Sequence, residues 1–300
     1  MARNHGVKKA RGKYILFLDS DDYLSNNVCS SIFPFFEKNY NKIDLVVYNL
    51  KYKMHEKTKP HFRYSKLYDN QNKIYNVNVK NELIQTTINY CIKNKYDDNL
   101  LFNKNFSFGE DEMYATNIIL RKRKFGYCSD CTYYYRMHGN NTVHNNMVTF
   151  KVFKKFVDYY LRLLKDYPNN DYVMNLVLNN LRWRLEENKL VPYTENEKLQ
   201  KQFLNKIKEL LDFISVERIM KLSYLKVRTR MALLHLKDIP YEVTLKDEQV
   251  IVTFDKQKYK YKNQLLVKIE NIGKTYISGK IEKSFDLFTH FTNPNLTVVQ

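Results

Sequence analysis

Glycine, proline and cysteine are scarce in this chain of 300 residues, which contains 7, 6 and 4 of them. So few glycines and prolines argue against a collagen-like or loop-rich linker protein. The four cysteines, Cys29, Cys91, Cys128 and Cys131, are too few and too scattered for a disulfide framework, which favours a reducing compartment. Cys128 and Cys131 have the spacing of a zinc half-site, but no second pair matches it, so packed thiols are the preferred interpretation.

Long apolar runs and a signal-like N-terminus are also missing. No run approaches the ~20 apolar residues of a membrane span, and the first residues are charged and polar. We therefore predict a cytoplasmic protein, with its charge as a possible means of attachment to the inner face of the cell membrane. Lys and Arg number 50 against 32 Asp and Glu, which gives a net charge of +18.

This charge attracts polyanions, namely nucleic acid, anionic lipid headgroups or an anionic polymer. Because lysine is spread along the whole chain, a soluble protein with a lysine-rich surface explains it equally well. No DNA- or RNA-binding signature is recognisable, so we predict no nucleic-acid partner.

Hydrophobic periodicity divides the chain into an α/β part at 1–147, a helical part at 148–237 and a β-rich module at 238–300. The first part has buried-strand patterns at 14–18 and 44–48 and a helical pattern at 27–38. A polar excursion follows at 50–79. Further patterns predict an amphipathic helix at 80–93, a helix from Glu110, and short strands at 124–128 and 132–136.

Three acidic residues, Asp19, Asp21 and Asp22, directly follow the apolar run 14–18. An unbroken apolar run is typical of a strand buried on both faces, so we predict a central strand with acids at its carboxyl end, opening into a cleft. Clustered carboxylates suit a hard divalent cation that also holds diphosphate oxygens and neutralises a departing nucleoside diphosphate. A turn with a helix N-cap is the alternative, since Asp is common in both.

The stretch Arg3-Asn4-x-Gly6, Ala10-x-Gly12-x-Tyr14-Ile15, Phe17-Leu18-Asp19-Ser20-Asp21-Asp22 resembles the central motif of the family-two inverting glycosyltransferases. The resemblance covers residues 1–145. It implies an α/β fold of the GT-A type, a mixed sheet flanked by helices, here followed by a helical segment and a small β-rich module. It also implies transfer of a sugar from a nucleotide-diphosphate donor.

The same resemblance assigns roles to individual residues. Asp21 would ligate Mn²⁺ or Mg²⁺, and Asp19 would contact the nucleotide ribose or the metal shell. The remaining matched positions, Arg3, Asn4 and Arg11, would lie near the nucleotide of the donor.

A second acidic pair follows Phe108 and Gly109, where the family places acceptor-site carboxylates at the start of a helix. By this resemblance Asp111 is the general base that removes the acceptor hydroxyl proton, and Glu110 is its orienting neighbour. The alternative is that both acids only favour the positive end of the helix dipole.

A third segment, Tyr133-Tyr134-Tyr135-Arg136-Met137-His138, resembles a strand and loop found in many relatives. Arg136 or His138 would meet the donor diphosphate, and His138 would complete the metal shell. A surface Arg-x-His pair at a strand end is the alternative.

Relatives begin with an apolar strand and a nucleotide-gripping loop upstream of the Arg-Asn-x-Gly motif, whereas Met1 and Ala2 directly precede it in this sequence. We therefore expect a catalytic domain that lacks its first strands. Residues beyond 148 match no nameable motif, but related domains of bacterial capsule and teichoic-acid synthesis carry C-terminal extensions. The predicted function is sugar transfer to a cell-surface polysaccharide or anionic polymer. The alternative is a catalytically impaired fragment that binds polyanions or membranes.

Overall fold

A computed structural model describes residues 2–61, 64, 68, 70–85, 87–95, 101–106, 109–137, 150–186, 197–246, 249–262, 267–272, 277–281 and 296–297. The chain divides into two compact units, residues 1–147 and 148–300.

The first unit is a mixed sheet with helices. Its elements in chain order are α1 (Ala2–Lys9), β1 (Tyr14–Leu16), β2 (Tyr23–Leu24), α2 (Val28–Lys38), β3 (Leu45–Met54), β4 (Lys57–Pro60), β5 (Lys73–Asn76), β6 (Tyr90–Lys93), α3 (Glu110–Lys122) and β7 (Lys124–Arg136). The strand order is β1-β6-β3-β7-β2, with β4 paired to β3 and β5 paired to β7. The predicted mixed α/β architecture is confirmed.

The pairing fixes the direction of each strand. β3 and β7 are parallel, whereas β6 is antiparallel to both β1 and β3. Strands β1, β3 and β7 therefore run the same way, and their carboxyl ends lie together at what we call the carboxyl end of the sheet. Helix α3 runs from this end to the opposite one, because Glu110 pairs with Arg3 beside Asp19, while Lys122 lies 3.0 Å from Asp44, just before β3.

β7 is one strand with a bulge where two short strands were predicted. Cys128 pairs with Tyr48 but Thr132 pairs with Asn49, so the residues between them loop out of register. The amide of Asn49 donates to the carbonyl of Ser129 at 2.7 Å and stabilises the loop.

Gly126 of β7 allows helix α2 to pack closely on the sheet. A Cβ at this position would lie 2.6 Å from a ring carbon of Phe35 and 2.7 Å from Cδ1 of Ile43. Larger side chains would therefore push the helix away from the strand.

The predicted helix at 80–93 is wrong. Residues 80–85 and 87–89 have no regular structure, and β6 follows. The apolar residues Leu83, Ile84 and Ile88 are buried as the pattern required. However, buried Gln85 and Asn89 hydrogen-bond each other at 2.8 Å, and the Asn89 amide also donates to the backbone carbonyl of Tyr48. This side-chain network replaces the helical backbone hydrogen bonds.

The predicted position of the first strand is also wrong. β1 covers only Tyr14–Leu16 and, among the described strands, pairs with β6 alone at the edge of the sheet. In the apolar run 14–18, Ile15 and Phe17 are buried, whereas Leu18 is 50% exposed. The run is therefore not buried on both faces. Likewise, the polar excursion at 50–79 contains the end of β3 together with β4 and β5.

The second unit is helical and then β-rich. Its helices are α4 (Phe150–Asp166), α5 (Asp171–Glu186), α6 (Glu197–Asp212), α7 (Val216–Lys221) and α8 (Val227–Leu236). Its strands are β8 (Glu242–Lys246), β9 (Gln249–Phe254), β10 (Gln257–Lys262), β11 (Val267–Ile272), β12 (Ile277–Ile281) and β13 (Leu296–Thr297). The strand order is β10-β9-β8-β13, and β11 pairs with β12.

One hydrophobic cluster joins the last helices of the second unit to its sheet. Its buried members are Met220, Val227, Met231, Leu234, Val243, Val250 and Val252. α7 starts afresh after α6 because Ser215 caps it, accepting a hydrogen bond from the Arg218 amide at 3.2 Å. Within the described residues, every helix is too short or too polar to cross a bilayer.

Candidate active site

Helix α1 is tied to the chain near Phe102 by its buried Asn4. The Asn4 amide donates to the Phe102 carbonyl at 2.8 Å, and its oxygen accepts from the Phe102 amide at 2.9 Å. Both polar ends of this side chain are therefore committed to the protein. The expected place of Asn4 near the nucleotide stays a prediction. In the structure, its two hydrogen bonds to Phe102 form a clamp that orients α1.

The clamp places Arg3 between two acids from distant parts of the chain. One guanidinium nitrogen lies 2.7 Å from Oδ1 of Asp19, and the other lies 2.6 Å from Oε1 of Glu110. The guanidinium also lies over the ring of Phe102, 5.6 Å from its centroid. Burial alone would lower the pKa of Arg3, but the hydrogen bond and charge of Asp19, with the charges of Asp111 and Glu110, raise it. Arg3 thus joins the two acidic motifs that the sequence separates by about ninety positions.

The acidic turn after β1 is held by β7 through Asp22. This carboxylate accepts from the Tyr133 hydroxyl at 2.7 Å and from the Arg136 backbone amide at 2.8 Å. The same Tyr133 hydroxyl accepts from the Asp19 amide at 3.2 Å. Burial raises the pKa of Asp22, and these two hydrogen bonds oppose the rise. Asp22 is therefore a structural anchor of the turn.

Asp21 occupies the exposed position of that turn. Its backbone carbonyl accepts a hydrogen bond from the side chain of Arg136. Both residues are exposed, at the carboxyl ends of β1 and β7. The acidic turn and the end of β7 thus present an exposed carboxylate and an exposed guanidinium at the carboxyl end of the sheet. Such groups can bind a divalent cation and a phosphate.

Asp111 stands in the first turn of α3, next to the Arg3 pair. Gly109 precedes the helix with φ of 72°, a left-handed conformation that favours glycine, and Asp111 Oδ1 accepts from the Glu112 amide at 2.9 Å. Burial, followed by the charge of Glu110, raises the pKa of Asp111 to about 7, while Arg3 opposes the rise. A carboxylate with this pKa is suited to accept a proton at neutral pH.

The structure brings together most of the predicted site residues, but not all. Arg3, Asp19 and Glu110 form one chain of ion pairs with Asp111 beside it. Asp21 and Arg136 lie on the same turn as Asp19. Arg11, in contrast, is exposed before the start of β1, at the other end of that strand, and no described contact joins it to the cluster. His138 lies outside the described residues.

Two residues of the site carried no sequence prediction, Tyr133 and Phe102. Tyr133 belongs to the Tyr-rich segment that was singled out for Arg136 and His138, so its place in the motif was a usable signal. Phe102 carried no such signal in the sequence. It acts through its backbone, which bonds Asn4, and through its ring face, which lies under Arg3, and no motif encodes either contact.

The acids of this cluster have different capacities for a cation. Within the described residues, no group of three or more His, Cys, Asp or Glu converges as a metal site would require. Asp22 is buried and accepts from two donors, Asp19 shares one oxygen with Arg3, and Asp21 is exposed. These residues fit a cation that takes most of its other oxygens from a bound diphosphate.

The mixed sheet, with acids gathered at its carboxyl end, defines the GT-A class of glycosyltransferase folds. Residues 1–106 match the family described as Glycosyl transferase family 2. The matched residues all belong to the first unit.

Two proteins of Bacillus subtilis (strain 168) are similar in sequence. Minor teichoic acid biosynthesis protein GgaB is 28% identical over 233 residues, which cover 71% of this chain and 24% of that protein. Minor teichoic acid biosynthesis protein GgaA is 27% identical over 141 residues, covering 45% of this chain and 30% of its own length. The chain thus spans at most a third of the length of these curated relatives.

The fold is shared with solved structures of S. aureus TarS. The structure of TarS 1–349 in complex with UDP-GlcNAc superposes with a TM-score of 0.59 at 13% identity, covering 87% of this chain and 78% of that one. The complex of the same fragment with UDP gives a TM-score of 0.53. At this identity the likeness concerns the fold.

Proposed function

We propose that this chain is the catalytic part of an inverting glycosyltransferase that uses a nucleoside-diphosphate sugar and a divalent cation. One observation carries the proposal: Arg3 connects the acidic turn after β1 to the two acids that begin α3. A donor-binding turn and a base-bearing helix must lie within one sugar's length for direct transfer, and this arrangement supports that condition.

The donor would bind at the carboxyl end of the sheet. Asp21 would hold Mn²⁺ or Mg²⁺ together with the diphosphate oxygens, and the cation would neutralise negative charge on the departing nucleoside diphosphate. Arg136 would pair with the diphosphate from the side of β7. Asp19 would keep Arg3 in place with one oxygen and offer its other oxygen to the ribose or the metal shell.

Asp111 would act on the acceptor. Its carboxylate would take the proton of the acceptor hydroxyl while that oxygen forms the new bond to the anomeric carbon. The bond from the anomeric carbon to the diphosphate oxygen breaks at the same time, so the configuration inverts. Glu110, positioned by Arg3, would lie beside Asp111, where its charge contributes to the raised pKa of the base.

The proposed donor and acceptor classes come from the relatives. A TarS structure holds UDP-GlcNAc, which supports a UDP-sugar as the donor class. GgaB and GgaA are named for minor teichoic acid biosynthesis, which supports a cell-wall polymer as the acceptor. The net charge of +18 fits an anionic polymer and, as a second partner, an anionic membrane face.

Calorimetry with UDP tests the donor site. The wild-type protein should bind UDP with Mn²⁺ present and bind it much more weakly in EDTA. Asp21→Asn should lose the Mn²⁺-dependent part, since it removes an anionic ligand from a site that has few. The matched control is Asp212→Asn, the same change at an exposed position of the second unit. Unchanged Mn²⁺-dependent binding by Asp21→Asn would refute the metal role of this residue.

A further inference from the structure

The end of the sheet opposite the candidate active site is strongly basic. Strands β1, β3 and β7 begin there, β6 ends there, and α3 reaches it with its last turn. We call it the basic end, and its cationic side chains are Arg11, Lys13, Lys42, Lys93, Lys95, Arg121, Lys122, Arg123 and Lys124. The acids described there are Glu37, Asp44 and, two residues after Lys80, Glu82, so positive charge is in excess.

Asp44 lies at the centre of the basic end and cannot neutralise it. Its Oδ1 lies 2.9 Å from Lys93, 3.0 Å from Lys122 and 4.0 Å from Lys95. A recess of about 20 Å³ opens beside it, lined by Asp44, Ile92, Lys93, Lys95, Ile118 and Arg121. The recess is therefore surrounded by more ammonium and guanidinium groups than its single carboxylate can balance, a setting that favours a phosphate oxygen.

An exposed apolar side chain protrudes from the same end. Val79 is 72% exposed, more than any other large hydrophobic residue among those described. The turn that carries it is fixed to the basic end, since the Val77 amide donates to the Arg123 carbonyl at 2.9 Å and Asn76 pairs with Lys124. Lys80 follows it directly and is exposed. The basic end thus combines cationic side chains with one apolar tip.

The two ends of the sheet differ in charge over a short distance. α3 begins with Glu110, Asp111 and Glu112 and ends with Arg121 and Lys122, over 13 residues. This length corresponds to about 20 Å along the helix axis. An anionic surface is therefore attracted more strongly to the basic end than to the carboxyl end, where acids stand beside the exposed Lys57, Lys59 and Arg136.

We propose that the basic end is a docking surface for an anionic lipid bilayer, with lysines and arginines at the phosphate headgroups and Val79 in the interface. A bilayer suits the mixture of charge and exposed valine, whereas a soluble polyanion gains nothing from Val79. In this orientation the candidate active site faces away from the bilayer. The inference does not depend on glycosyl transfer, and its test uses no nucleotide.

Vesicle co-sedimentation tests the surface with two charge-reversal pairs. The first pair, Lys42→Glu with Lys124→Glu, changes exposed side chains at the basic end. The matched control, Lys57→Glu with Lys59→Glu, changes exposed lysines of β4, which pairs with the last residues of β3 at the carboxyl end. Both pairs alter the net charge equally, so they differ only in location.

The first pair should weaken binding to phosphatidylglycerol-containing vesicles by more than about tenfold, since each cationic side chain near such a surface contributes roughly fivefold in affinity. The control pair should cost much less. Equal losses in the two pairs, or no binding by the wild type, would overturn the proposal. If the first pair lost binding to soluble polyphosphate but kept vesicle binding, the partner would be a soluble polyanion and the bilayer assignment would be wrong.

Penetration of Val79 gives a second, independent readout. Val79→Trp and Met54→Trp place the same ring at exposed positions of the two ends, since Met54 closes β3 at the carboxyl end. Both variants retain Trp183 as a common background. Brominated lipids should quench Val79→Trp more strongly than Met54→Trp. Equal quenching of the two variants would contradict the proposed orientation.

Discussion

The hydroxyl of Tyr133 donates a hydrogen bond to Oδ2 of Asp22 at 2.7 Å, across 111 positions of sequence. Because the same hydroxyl accepts from the Asp19 amide, one phenol fixes both ends of the acidic turn. The turn that presents Asp21 is therefore positioned by β7 and does not hold its shape through local contacts alone.

Tyr133→Phe should destabilise the protein by about 1–3 kcal/mol, because it leaves a buried carboxylate short of a donor. The lost bond stabilises the charged form of Asp22, whose pKa burial already raises. The deficit in the free energy of unfolding should therefore grow as the pH rises through that raised pKa. Urea denaturation at several pH values measures it. Tyr134→Phe is the control, since this neighbouring ring stacks on Tyr23 at 4.7 Å and would keep that contact. Equal losses in the two variants would contradict the anchoring role.

Asn4→Ala should release the chain at Phe102. The substitution leaves a backbone donor and acceptor unpaired in a buried place, which costs about 1–3 kcal/mol for each group left unsatisfied. Hydrogen exchange at the Phe102 amide should become faster, while exchange in α8 should not change. Asn41→Ala, at an exposed position, is the control. Unchanged exchange at Phe102 would show that the clamp contributes nothing.

Local patterns predicted the parts of the site that depend on neighbouring residues. The acids after an apolar run and the helix at Glu110 were both found in this way, because a strand end and a helix start are encoded within a few positions. The helix predicted at 80–93 was wrong because Leu83, Ile84 and Ile88 have helical spacing in a segment whose polar residues, Gln85 and Asn89, bond to each other instead.

Contacts between distant segments could not be predicted from such patterns. The Arg3 bridge spans 107 positions to Glu110, and the Tyr133 bond spans 111 to Asp22. The family resemblance named Arg3 and Glu110 separately but did not pair them. The edge position of β1 also depends on the pairing of β6, which the sequence reading had placed inside a helix.

Arg3→Gln should raise the pKa of Asp111, since the Arg3 charge opposes the rise caused by burial and Glu110 more than the Glu112 amide does. The midpoint of the pH–rate profile should therefore move to higher pH. Arg11→Gln is the matched control, because Arg11 is exposed beyond the other end of β1. A midpoint that stays in place in Arg3→Gln would show that the two groups are not coupled.

Asp111→Asn should change how stability depends on pH. The folded protein holds the Asp111 proton up to about pH 7, whereas the unfolded chain loses it near 3.8. Between these values the folded state binds more protons, so the free energy of unfolding of the wild type falls as the pH rises. The asparagine variant lacks this loss. Its melting temperature, relative to that of the wild type at the same pH, should therefore be higher at pH 8 than at pH 4. An equal difference at both pH values would contradict the raised pKa.

Asp111→Asn also separates a general base from a structural acid. A base acts on the acceptor proton in the transition state and touches the donor little, so Mn²⁺-dependent UDP binding should be nearly unchanged. Transfer should fall by about 10²–10⁴-fold, the usual contribution of a positioned acid or base. The measurement is UDP release, with acceptor present, from the UDP-sugar that the wild type turns over fastest under the proposed function.

The pH profile gives the same test a second readout. Wild-type kcat/KM should rise with pH through about 7, because the base must be deprotonated to accept the proton. The residual activity of Asp111→Asn should lose this rise, whereas Asp212→Asn should keep both the rate and the profile. Asparagine is nearly isosteric with aspartate, so the first turn of α3 should survive the substitution and a loss of rate would not reflect unfolding. Near-normal turnover by Asp111→Asn would refute the base assignment, and Glu110→Gln would then be the variant expected to lose the rate.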